Sequence, residues 1–215
     1  MSTDLIVNEI FHSIQGESVE AGRPCVFVRL TACDLRCRWC DTEYAFTEGK
    51  RRSLDDVMAE IDSYDCGLVE VTGGEPLLQA AVHPLIARLL DAGHEVMLET
   101  GGHRDITGVD PRVRRIVDLK APGSGEVTRN RLENLTDLRA TDNVKVVIAD
   151  REDFDWALAV LAEHDVEARC PILFSPVHGE LEPAELARWM LESGTTARLQ
   201  LQLHKLLWPA AKRGV

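Results

Sequence analysis

The 215-residue chain contains no run of about 18 apolar residues, so no segment is long enough to cross a bilayer as a helix. Its start, MSTDLIVNEIF, lacks the basic opening and extended apolar core of a secretory signal. Both absences lead to the expectation of a cytoplasmic protein with no membrane partner. Positive charge is also in deficit, with 24 Lys and Arg against 36 Asp and Glu, a net −12. Nucleic-acid binding rests on phosphate neutralisation, so no nucleic-acid partner is expected. The basic clusters KRR at 50–52 and RVRR at 112–115 are read as solvated loop or strand-edge segments. No Pro/Gly/Ser-rich linker and no repeat divides the chain, which is read as a single domain, 1–215. The remaining partner class is a small molecule.

With 45% apolar and 28% charged residues, the composition is that of a globular protein. β-rich runs recur at 25–30, 68–72, 94–100, 115–120, 144–149, 170–174 and 198–204. Helical spacings lie between several of them. Ser53 is placed as an N-cap before Leu54, Val57, Met58 and Ile61. Pro84 is placed in a first helical turn, with Gly93 as the stop. Phe154, Ala157, Leu158 and Leu161 repeat the period, as do Leu186, Trp189 and Met190 after Pro183.

Strands alternating with helices indicate an α/β fold with mostly parallel strands. Several strands nevertheless alternate apolar and polar side chains. Val26, Val28 and Leu30 oppose Phe27 and Arg29; Val69 and Val71 oppose Glu70 and Thr72; Leu199, Leu201 and Leu203 oppose Gln200, Gln202 and His204. Apolar sides under helices and polar sides around a shared concavity satisfy all three. The chain is shorter than the roughly 250 residues of a full eight-fold barrel, so a partial, open βα barrel is expected.

Of six cysteines, Cys25, Cys66 and Cys170 are isolated among apolar residues and read as inert thiols. The other three fall together in TACDLRCRWCDT, residues 31–42, as Cys33-x3-Cys37-x2-Cys40. Clustered thiolates select zinc or iron–sulfur clusters. A structural zinc site needs four ligands, usually in two close pairs, and no second pair follows. A cubane held by three cysteines keeps one iron for the amino and carboxylate groups of a small molecule. The cysteine loop and TGGEP at 72–76 both follow strands, which places them at the carboxyl mouth where α/β folds do chemistry. Two glycines there let a ligand approach the backbone.

With Trp39 before its last cysteine, the loop resembles the C-x3-C-x-aromatic-C motif of radical S-adenosylmethionine enzymes. That resemblance implies a [4Fe-4S] cluster on Cys33, Cys37 and Cys40, and S-adenosyl-L-methionine as a second cofactor. It further implies one-electron cleavage of the sulfonium and removal of a substrate hydrogen. Cofactor contacts map onto Gly73, Gly74 and Glu75, onto Glu99 near the ribose, and onto Lys120 and Ser175 near the adenosyl group. Where members carry Thr-Asn-Gly after the acidic residue, this chain has Thr100-Gly101-Gly102. An external electron donor such as flavodoxin is implied.

The pieces VNEIFHSIQGES, GRPCVFVRLTACDLRCRWCDT, TGGEPLLQ and LQLHK are similar to those of the 7-carboxy-7-deazaguanine synthase family. The similarity implies conversion of 6-carboxy-5,6,7,8-tetrahydropterin to 7-carboxy-7-deazaguanine with loss of ammonia. It assigns substrate contacts to Ile14, Gln15, Gly16, Glu17, Arg29, Thr72 and His204, and a Mg²⁺ ligand to Thr42. A homodimer is expected. Gln15 and Glu17 can accept from ring N–H groups, and Arg29 has a planar fork suited to a carboxylate. Rival readings are a glycyl-radical-enzyme activase, a zinc or redox module, and a modifier of tRNA itself.

Overall fold

Nine strands form one sheet in the order β3-β1-β2-β4-β5-β6-β7-β8-β9 in this computed structural model, which describes residues 4–208 and 213–215. The strands are β1 (Asp4–Ile14), β2 (Pro24–Leu30), β3 (Lys50–Ser53), β4 (Leu68–Gly73), β5 (Glu95–Thr100), β6 (Arg114–Asp118), β7 (Asn143–Ile148), β8 (Ile172–Pro176) and β9 (Arg198–Leu199). From β2 and β4 onward every pairing is parallel, whereas β1 runs antiparallel to both β2 and β3. The two ends of the sheet do not pair with each other among the described residues, so the barrel is open.

Helices α1 (Leu54–Asp62), α2 (Val82–Asp91), α3 (Arg151–Glu163) and α4 (Pro183–Ser193) cover the convex face. Their ends follow from the sequence. Ser53 caps α1 by accepting from the Asp56 N–H, and Asp150 does the same for α3 through Asp153. Pro183 starts α4, and Gly194 ends it in the left-handed conformation, φ 69°. Pro84 lies two residues inside α2 rather than at its first position, still in the first turn, where no i−4 carbonyl is contested. On either side of β6, between β5 and β7, the connections are only turns and short 3₁₀ segments, so the helical layer is incomplete there.

The strand faces divide as the alternation requires. Val26, Val28, Leu30, Val69, Val71, Val96 and Leu98 pack outward against Leu54, Val57, Ile61, Leu85, Ile86 and Leu89. Inward, a second and smaller apolar cluster joins Phe11, Cys25, Phe27, Leu68, Met97 and Ile116. Phe11 and Phe27 stack with ring centroids 4.9 Å apart. Cys25 and Cys170 are buried, and burial raises both thiols, that of Cys170 to about 11; Cys66 is only half-buried.

Three features differ from the sequence reading. Strand β1 is missing from it because a register shift between Val7 and Glu9 breaks the period of two. The alternating run 198–204 pairs only at Arg198–Leu199 and then turns into α5 (Leu203–Leu207). Its polar groups go elsewhere: the Gln200 side chain donates to the Ser18 carbonyl at 3.0 Å, and the Leu203 N–H donates to the Gly16 carbonyl at 3.1 Å. The RVRR cluster is not uniformly solvated. Arg115 is buried and donates to Asp142 at 2.7 Å and to Asp137 at 2.6 Å, tying β6 to the turn before β7. KRR is an exposed strand edge as expected.

Candidate active site

A cavity of about 660 Å³ opens at the carboxyl ends of the parallel strands. The loop after β2 supplies Cys33, Cys37 and Cys40 to its rim, together with Asp41 and Thr42. This loop is tightly tethered. Asp34 accepts from His103 at 2.7 Å, from Arg104 at 2.6 Å and from Arg129 at 3.0 Å. Burial opposes the Asp34 charge, but the bond from His103 and then that from Arg104 hold its carboxyl down at about 2. Arg38 adds an ion pair to Glu180 at 2.9 Å, and the Arg36 N–H reaches Glu126 at 2.6 Å.

The turn after β4 packs under the same loop. The Gly74 and Glu75 N–H groups donate to Leu30 and Ala32 carbonyls at 3.1 and 2.7 Å. A Cβ on Gly73 would meet the Leu30 carbonyl, and one on Gly74 the Ala32 carbonyl. These glycines are therefore required first by the approach of two backbones, in addition to any ligand. Gly73 and Gly74 do line the cavity. The Glu75 side chain does not. It is wholly buried and accepts from Leu77, Thr100 and Gly101, so its carboxylate braces the turn that the resemblance maps to the cofactor's amino group. The same pairing explains Thr100-Gly101: the hydroxyl and the amide both serve Glu75. Ser175 lies behind the cavity wall, buried, with its hydroxyl donating to the Gln200 carbonyl at 3.0 Å.

Gln15, Gly16 and Glu17 reach the cavity from the opposite end. Ile14 closes β1 beside Pro24, at the foot of the barrel rather than at its mouth. The following segment crosses that foot as a strap. Gln15 exchanges backbone bonds with Arg23 and Gly22, the Val19 N–H reaches Asn143, and Glu20 pairs with Arg114. Ser18 takes a positive φ of 65° to make the turn. Gly16 sits against α5, where a Cβ would come within 2.6 Å of His204 Nδ1. Ile14, Gln15, Gly16, Glu17 and His204 all line the cavity, so one site does gather them. Burial pulls the His204 imidazole below its ordinary range.

Charge in the cavity is organised around Lys145, which the sequence reading missed. It is buried on β7, donates to Glu17 at 2.9 Å and also to Glu99, and lies 3.8 Å from Asp118. Burial opposes its charge, yet Glu17, then Glu99 and Asp118, hold it well above the usual lysine range. Burial likewise opposes ionisation of Glu99, which Lys145 more than offsets. Lys120 faces the cavity and donates to Asp118 at 2.7 Å. Arg29 donates to Glu9 at 2.8 Å, with the Tyr44 hydroxyl on the same carboxylate at 2.9 Å. Thr72 donates to Glu99 at 3.1 Å. The one signal for Lys145 was its place in an apolar strand, VKVVI, where a lysine needs a buried partner.

The donor set suits the groups the resemblance implies. Three thiols share one wall, and burial raises Cys33 and Cys37 while Lys120 favours their thiolates. Among the described residues, no three His, Cys, Asp or Glu side chains converge closely enough to form a complete metal-ion site. Three thiols on one rim match in number the protein ligands that the resemblance gives a [4Fe-4S] cluster. Thr42 presents an oxygen donor 3.8 Å from Cys40 Sγ, the ligand type Mg²⁺ prefers.

The Radical SAM superfamily profile matches residues 28–129. The chain is 46% identical to the 7-carboxy-7-deazaguanine synthase of Chlorobaculum tepidum, covering 100% of both chains. It is 43% identical to the synthase of Koribacter versatilis, over 97% of this chain and 99% of that one. Among solved structures, QueE from Escherichia coli superposes with a TM-score of 0.75 at 22% identity, covering 94% of this chain and 95% of the other. Streptococcus suis SuiB bound to S-adenosylmethionine gives a TM-score of 0.57 at 12% identity, over 80% and 48%.

Proposed function

The chain belongs to the 7-carboxy-7-deazaguanine synthase family of the radical SAM superfamily, and from that premise we propose how its residues carry the reaction. The enzyme converts 6-carboxy-5,6,7,8-tetrahydropterin to 7-carboxy-7-deazaguanine with release of ammonia. Its cofactors are a [4Fe-4S] cluster, S-adenosyl-L-methionine and Mg²⁺. The observation that carries the residue roles is the joint cavity: a three-thiol rim above a floor of polar strand residues.

Cys33, Cys37 and Cys40 hold the cluster, and Gly73, Gly74, Glu99 and Lys120 border the nucleoside. Bound there, the two groups supply one-electron cleavage of the sulfonium and removal of a substrate hydrogen. The protein's own work is placement. Arg29, already ordered by Glu9, offers its remaining guanidinium donors to the substrate carboxylate. Thr72 and His204 add polar contacts from opposite walls, and Thr42 serves magnesium. Lys145 bonds to Glu17 on the strap and to Glu99 beneath the rim, so the substrate-side and cofactor-side carboxylates share one cation. Phe11, Phe27, Ile116 and Val147 provide apolar walls for a flat ring. One domain, a homodimeric assembly, a flavodoxin-type electron donor and a cytoplasmic location complete the reading; no described helix is long and apolar enough to cross a membrane.

Anaerobically reconstituted and reduced protein, given S-adenosylmethionine and the tetrahydropterin, should yield 5′-deoxyadenosine and the deazapurine. Cofactor cleavage without deazapurine would remove the substrate assignment. Arg29→Ala should weaken pterin binding about 10- to 100-fold, the range of a lost charged hydrogen bond, with iron content unchanged. Loss of iron in that variant would mean that Arg29 supports the cysteine loop instead.

A further inference from the structure

Six acidic side chains line the cavity: Glu9, Glu17, Asp41, Glu70, Glu99 and Asp118. Five have a cation. Glu9 pairs with Arg29, Glu17 and Glu99 with Lys145, Asp41 with Lys205 at 3.0 Å, and Asp118 with Lys120. Glu70 is the exception among the described residues. It is 3% exposed on the inward face of β4, and its hydrogen bond comes from the neutral Gln15 Nε2. Burial, and then the neighbouring Glu99, push its carboxyl above the ordinary range. Buried without a direct ion pair, such a carboxyl holds its proton until a ligand supplies N–H donors to the ionised form.

The other acceptors offered by the strap are more heavily engaged. Gln15 Oε1 accepts from the Glu17 N–H at 3.0 Å, and the Glu17 carboxylate accepts from Lys145 and from Gln202 at 2.8 Å. A carboxylate has about four acceptor sites, so Glu70 keeps unused capacity after one bond. In register beside it stands Phe27, whose ring lines the cavity and stacks on Phe11. A flat wall next to a donor-hungry carboxyl is the complement of a planar ring with two adjacent N–H donors.

We infer that Glu70 reads the 2-amino and N3–H edge of the pterin and sets the enzyme's specificity for a 2-amino-4-oxo heterocycle. This rests on the proposed pterin substrate. Arg29 and Glu70 rise from one face of adjacent strands, Arg29 level with Thr72 and Phe27 level with Glu70. They would thus grip the carboxylate and the amino edge at different depths.

The test uses reconstituted full-length enzyme with two stable probes, 6-carboxypterin and 6-carboxylumazine, which carries a carbonyl where the pterin has its exocyclic amine. Wild type should prefer the pterin by about 10-fold or more, the scale of a hydrogen bond to a charged group. Glu70→Gln should lose that preference, since its amide presents a donor to a donor. Glu70→Met should lose it as well, so the result does not depend on one variant folding. Iron content and S-adenosylmethionine affinity serve as controls for an intact site. A Glu70→Gln enzyme that keeps the full preference overturns the inference, whether or not wild type makes deazapurine. Wild type that fails to convert the tetrahydropterin at all sinks the substrate assignment instead.

Discussion

Lys145→Met should unfold at clearly lower urea than wild type at neutral pH, with a loss of about 3 kcal/mol, the low end for breaking a buried ion pair. The low end applies because Glu17 and Glu99 face a cavity and retain side-chain exposures of 16% and 26%. Methionine fills the aliphatic volume, so the deficit is electrostatic. The pH dependence should change sign. In the folded wild type, Glu99 is held below its unfolded range, so its contribution is present above about pH 4.5 and fades as pH falls through the lower folded value. Without the cation, burial opposes ionisation of Glu99 without its main offset, and Glu99 and the neighbouring Glu70 disfavour each other's charge. Stability of the variant should then decline as pH rises above the unfolded carboxylate range, and acidification toward pH 5 should narrow the gap to wild type. A variant as stable as wild type at pH 7.5, with no such trend, would show that water in the cavity compensates these charges.

Cys37→Ala should reduce bound iron from about four per chain to less than one and abolish deazapurine formation, because two thiolates cannot retain a cubane. Far-UV circular dichroism should not change. The loop carrying Cys37 is fastened by Asp34 to His103, Arg104 and Arg129, and by Arg38 to Glu180, none of which involves the thiol. Iron and sulfide analysis reads the outcome independently of turnover. Full iron retention would place the cluster on other ligands.

The legible parts of the molecule were those in which one local rule acts. The period of two in Val26–Leu30 and Val69–Val71 gave the inner and outer faces of β2 and β4 correctly, because both strands are regular and covered by helices. The cysteine spacing and the Ser53 cap belong to the same kind of local rule. Residues whose roles depend on distant partners were not legible. Lys145 and Glu17 are 128 positions apart, Gln200 and Ser18 are 182 apart, and nothing in either neighbourhood announces the pairing. Glu75 and Ser175 show the complementary limit. Motif position says where a residue lies along a strand end, but not whether its polar atoms are already used by Thr100 or Gln200.

The strap across the foot of the barrel also governs traffic. Residues 15–23 cross the lower end, and the stacked phenyl rings of Phe11 and Phe27 line the cavity above them, so the route in and out that the proposal implies is the side that carries the thiol-bearing loop. A route of that kind enforces a queue. With the pterin toward the strap and the nucleoside under the thiol loop, as proposed, the lower guest enters first and leaves after the upper one. Turnover should then show compulsory-order kinetics, with departure of the upper guest timing the exit of the lower one.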